Sequence, residues 1–90
     1  MKIELRLPDE FDDFYAREVE DKGVFFRAIA SISGREVSVT FYDPVRLAQD
    51  IEEEFRSRGS LSIPHLIVLE RVTRENMRAA VERLGPEFFE

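Results

Sequence analysis

Between residues 24 and 42, apolar and polar positions alternate on either side of a central glycine. Val24, Phe26, Ala28, Ala30 and Ile32 fall on one parity before Gly34, and Val37, Val39 and Phe41 on one parity after it. A period of two is the mark of a strand with one buried face. A two-residue turn at Ser33-Gly34 or Gly34-Arg35 joins the runs as a hairpin. Either turn puts those eight side chains on one face, because the two alternatives differ in register by an even step. The other face then carries Phe25, Arg27, Ile29, Ser31, Ser38, Thr40 and Tyr42, a mixture of apolar and polar groups. Residues 2–7 alternate in the same way, with Ile3, Leu5 and Leu7 on the inner side, and Pro8 ends that strand.

Beyond the hairpin the period changes to that of helices. Asp43 and Pro44 supply an N-cap and a first helical residue, and Gly59 marks the stop. Leu47, Ala48, Ile51 and Phe55 form the expected buried stripe. Thr73 caps a second helix in which Met77, Ala80, Val81 and Leu84 share a face, and Gly85-Pro86 ends it. Between them Leu66-Ile67-Val68-Leu69 reads as the centre of a strand over 65–71, apolar enough to be covered on both faces.

Residues 8–23 read as an acidic loop or an edge strand. Glu20-Asp21-Lys22-Gly23 fits a tight turn that folds 14–19 back onto 24–30 and brings Tyr15 and Val19 near Phe25 and Ile29. Residues 85–90 are expected to form a short C-terminal tail. The pattern as a whole predicts one α+β domain over 1–90. It is a two-layer sandwich with a mixed sheet of four or five strands and two helices on one face, the strand–helix–strand unit making a right-handed crossover.

Charge sharpens this picture. The net charge is −6, and residues 9–21 alone hold seven acids against Arg17, so that stretch carries the entire imbalance. Phenylalanines are interleaved with its charges in Asp9-Glu10-Phe11-Asp12-Asp13-Phe14-Tyr15. Acids around aromatic anchors suit steering and docking of a basic protein partner. Phe14 is expected to dock on the chain's own sheet, while Phe11 is open to either role. The mixed sheet face adds Phe25 and Ile29 to a partner surface made of Asp9, Glu10, Phe11, Asp12, Asp13 and Tyr15. Sheet-on-sheet packing of a second copy would cover the same face.

Candidate chemistry is sparse. His65 is the single histidine, and a small-molecule pocket or modest enzyme site near Tyr42, His65 and Arg71 is the alternative reading. Neither Asp9, Asp12 and Asp13 nor Glu52, Glu53 and Glu54 has the spacing of a calcium loop or of converging ligands, so neither a metal nor a cofactor is expected. The four glycines are isolated and do not make a phosphate cradle. Arg71, Arg74 and Arg78 are interleaved with Glu70, Glu75 and Glu82, which disfavours nucleic acid.

There is no cysteine, the N-terminal residues alternate rather than forming an apolar signal, and no run approaches a membrane span. These features predict a cytoplasmic protein without a membrane partner. Eleven arginines against two lysines suggest a GC-rich bacterial source. The sequence thus leads to a non-catalytic interaction module rather than to a reaction.

Overall fold

The computed structural model describes residues 2–89. Their elements run β1 (Glu4–Arg6), α1 (Asp13–Lys22), β2 (Val24–Ile32), β3 (Arg35–Tyr42), α2 (Pro44–Ser57), β4 (Leu66–Val68) and α3 (Arg74–Glu82), followed by a 3-10 turn at Pro86–Phe89. The α+β class and the four-stranded mixed sheet are as expected. Strand order is β1-β2-β3-β4, antiparallel except for the parallel β3–β4 pair that follows the α2 crossover.

The hairpin turn is Ser33-Gly34, with Ile32 opposite Arg35. Both turn residues have positive φ, 49° and 81°. That is the geometry whose twist matches the flanking strands, and a glycine at the second position removes the steric cost.

Residues 13–22, expected as loop or edge strand, form a helix instead. The Asp12 side chain accepts a hydrogen bond from the Tyr15 N–H, and Lys22 lies in the last turn. Gly23, at φ 73°, donates its N–H to the Val19 carbonyl. A helix end and a tight turn with a left-handed glycine share the same local backbone, so Glu20-Asp21-Lys22-Gly23 fits both. Phe11, Tyr15 and Val19, spaced by four, decide for the helix by packing toward the core.

One face of the sheet holds the core. Ala28, Ala30, Ile32, Val39 and Phe41 meet Val19 of α1 and Met77 and Val81 of α3, closed by Ile3, Leu69, Val72 and Phe89. Two helices do lie on one face, but they are α1 and α3. The stripe expected of α2 is not part of this core: Leu47 and Ile51 are half-buried and Phe55 is 57% exposed. The β4 segment is shorter than expected and lies at a sheet edge rather than covered on both sides, so Val68 is exposed. The C-terminal residues close the core side, with Phe89 buried and its carbonyl accepting from Arg35 Nη2 at 2.9 Å.

Candidate interaction face

The most informative departure from simple alternation is in the middle of β2. Val24 opposes Tyr42 and Phe25 opposes Phe41, yet Ala28 opposes Val39. Two residues, Phe26 and Arg27, therefore stand against the single Thr40, which is a β-bulge. The extra residue inverts the alternation upstream of it. Phe25 enters the core and is 3% exposed, whereas Phe26 is turned out and is 68% exposed. This corrects the expected assignment on both counts: Phe25 cannot touch a partner, and Phe26 is not a core residue.

Around Phe26 the outward face carries half-buried Ile29, Ser31 and Thr40 and exposed Ser38. Arg27 is held rather than free. One guanidinium nitrogen donates to the Tyr15 hydroxyl at 3.1 Å, and the other lies 2.8 Å from Glu10. Its pKa is raised, first by the Tyr15 hydrogen bond and then by Glu10. Glu10 is held below the usual carboxylate value by its own backbone N–H and by Arg27. Across β2, Arg6 of β1 pairs with both carboxylate oxygens of Glu36 in β3, at 2.9 and 3.2 Å.

These contacts frame an open cleft of about 340 Å³ lined by Arg6, Pro8, Asp9, Glu10, Arg27 and Ile29. The acidic segment and the outward sheet face, separate features in the sequence, thus meet at one place. Of the expected partner residues, Asp9, Glu10 and Ile29 are brought together there.

The others have different employment. Phe11 stacks on Tyr15 with ring centres 4.9 Å apart, and both rings meet Phe25 edge-on. Arg74 sits 5.8 Å above the Phe11 ring. Asp12 is a helix cap, and Asp13 accepts from Arg74 at 2.6 Å. Phe14, expected to dock on the sheet, is 73% exposed on α1. An exposed Phe14 follows from helical spacing, since position 14 lies off the stripe made by 15 and 19, while Phe11, ahead of the N-cap, packs through its stacking on Tyr15.

The alternative pocket residues are engaged with three different partners. The Tyr42 hydroxyl donates to Asp50 at 2.6 Å, and burial, followed by Asp50, pushes its pKa up to about 12. His65, at φ 53°, places its ring 5.0 Å from that of Phe88. Arg71 lies 4.0 Å from Glu20. A cleft of about 440 Å³ beside the hairpin turn is lined by Ile3, Ile32, Leu84 and Pro86 among others, and includes none of these three residues. Among the described residues no three histidines or carboxylates are grouped to hold a metal ion, and no helix is long and apolar enough to cross a membrane.

The residues that sequence reasoning missed are Phe26, Arg27 and Phe14. Consecutive phenylalanines leave two parities open, and no local signal decides between them, since only the pairing with β3 shows that a parity break lets Phe25 join Phe41. Compared with models of protein families, with curated proteins and with solved structures, the chain matches none.

Proposed function

We propose that this chain is a non-catalytic interaction module whose protein partner docks on the outward sheet face around Phe26, steered by the acids of residues 9–21. The observation that carries the reading is the bulge that turns Phe26 out of the sheet beside the cleft holding Asp9, Glu10 and Ile29. Bulges re-aim side chains, and a large aromatic held outward on a rigid strand is an anchor prepaid in conformational entropy. Asp9 and Glu10, in the cleft lined by Arg27, the residue after Phe26, favour a partner with a basic surface and an apolar pocket. A cysteine-free, arginine-rich chain fits a bacterial cytosol as the setting.

The test is quantitative capture from the source cells with three baits: wild type, Phe26→Ser and Phe55→Ser. A partner retained by wild type and Phe55→Ser but lost with Phe26→Ser is the expected result. Its association rate should also fall as salt rises, because exposed charges are screened beyond about 10 Å at 0.1 M salt. Equal capture by all three baits would contradict the reading.

A further inference from the structure

A separate surface concerns the edge of the sheet. β1 is one of the two edges of the described sheet, and its outer side borders an open cleft of about 240 Å³ between β1 and α3. The cleft is lined by Ile3, Glu4, Leu5, Arg78, Val81 and Glu82, with Lys2 at its end. Sheet edges are usually guarded by charge against pairing with other chains. Here the charges are arranged so that they match themselves.

We propose that β1 pairs antiparallel with β1 of a second copy about a two-fold axis at Leu5, making one continuous eight-stranded sheet across the dimer. In that register Glu4 opposes Arg6 of the second copy and Arg6, whose guanidinium also holds Glu36 of its own chain at 2.9 and 3.2 Å, opposes Glu4, while Leu5 meets Leu5 and Ile3 meets Leu7. A two-fold contact repeats every pair reciprocally, so one complementary pair becomes two. Opposite charges directly across an antiparallel pair attract, and like charges repel. Centring on Glu4 instead would set Lys2 against Arg6 and Glu4 against itself. Centring on Ile3 matches Lys2 with Glu4 but leaves Arg6 with no opposing residue of β1. The Leu5 register alone uses the whole strand.

The α3 wall of the cleft has the same self-matching character. Arg78 and Glu82 are one helical turn apart and line the same side. The two-fold brings two such helices alongside each other, where antiparallel α3 segments set Arg78 of each against Glu82 of the other. The α3 charges, brought together by the same two-fold, thus suit the same occupant as the β1 charges, another copy of this chain. This edge is distinct from the Phe26 face, so failure here leaves the partner reading standing, and the reverse also holds.

The test is sedimentation of the full chain at about 100 µM, with circular dichroism to check that each variant folds. Wild type should be a dimer. Glu4→Arg and Arg6→Glu should each weaken self-association more than about tenfold, since each turns both attractive pairs repulsive. Mixed together, the two variants should form a heterodimer, because the doubly basic strand then opposes the doubly acidic one.

Cysteine cross-linking checks the register without changing charge at the axis. Directly opposed residues have Cα atoms about 4.5–5.5 Å apart, within reach of a disulfide. Leu5→Cys should therefore cross-link to itself on mild oxidation. Leu7→Cys should not, since in this register it faces Ile3 and its two copies lie roughly 14 Å apart. A monomeric wild type, single variants that dimerise as well as wild type, or equal cross-linking of the two cysteine variants would each overturn the proposal.

Discussion

Phe25 and Phe26 are neighbours in sequence and opposites in environment, and their substitution is the sharpest residue-level contrast available. Truncating Phe25 leaves a cavity among Phe11, Tyr15 and Phe41 and should cost about 3–5 kcal/mol. Truncating Phe26 removes a side chain already in water and should change stability by only about 0.5 kcal/mol. Urea unfolding of Phe25→Ala and Phe26→Ala measures both. A larger loss from Phe26→Ala than from Phe25→Ala would mean that β2 keeps one parity throughout. The alternation downstream of residue 28 is legible in the sequence because every inward side chain there agrees. The bulge is not, because it is fixed by how β2 twists against β3 and by Tyr15 and Glu10 holding Arg27, all of which are tertiary contacts.

Two other residues carry tests of their own. Gly23 combines a left-handed backbone with a close approach to a capping side chain. A Cβ there would collide with the Asp43 carboxylate that caps α2, and Asp43 N–H donates to the Gly23 carbonyl at 2.8 Å. Gly23→Ala should therefore cost at least about 2 kcal/mol, the left-handed penalty plus damage to a cap; a neutral result in thermal unfolding would contradict this.

Tyr42 and Asp50 predict a pH profile. The folded Tyr42 pKa, about 12, lies above its ordinary 10.0, so its contribution is complete below pH 10 and is lost as pH rises toward 12. Asp50 is lowered from 3.8, first by the Tyr42 hydroxyl and then by Arg46, so its contribution is present above that value and is lost on acidification. Tyr42→Phe should lower stability at neutral pH by about 1–2 kcal/mol and flatten the loss between pH 10 and 12. An unchanged alkaline slope would place the titration elsewhere.

Among the elements, α2 and α3 are legible because caps and stops are local chemistry. Asp43 accepts from the Arg46 N–H and Thr73 from the Asn76 N–H, as their positions ahead of the helices imply. What α2 packs against is not local. Its apolar stripe is as regular as that of α3, yet Met77 and Val81 are buried and Leu47 and Ile51 only half so. A stripe says that a helix has an apolar side, not that the fold has room in its core for it. α1 shows the converse difficulty, since the acids of residues 9–21 mask a short stripe of Tyr15 and Val19, on which Phe11 packs from ahead of the N-cap. Hydrogen exchange should reflect this difference. The amides of α2 should open with lower free energy than those of β2 and β3, which lie at the centre of the sheet. Equal protection would mean that α2 is held more firmly than its burial implies.

For the whole molecule, the arrangement divides labour between faces. The core side is closed by α1, α3 and the C-terminal turn. The other side presents Phe26 and Ile29 at the edge of the acidic segment. The acidic cluster and the mixed sheet face were both evident in the sequence. Their meeting at one cleft depends on Pro8 and the chain turn that carries Asp9 and Glu10 alongside β2, where Arg27 fixes Glu10. Of the seven acids of residues 9–21, Asp9 and Glu10 are the ones that line this cleft, while Asp13 and Glu20 face Arg74 and Arg71 of the α3 side. The measurement that tests this most directly is a hydrogen-exchange footprint of the chain with its captured partner. Protection is predicted at residues 26–29 and 38–40 together with 9–10. Protection confined to α2 or α3, with residues 26–29 exchanging as in the free chain, would contradict the account.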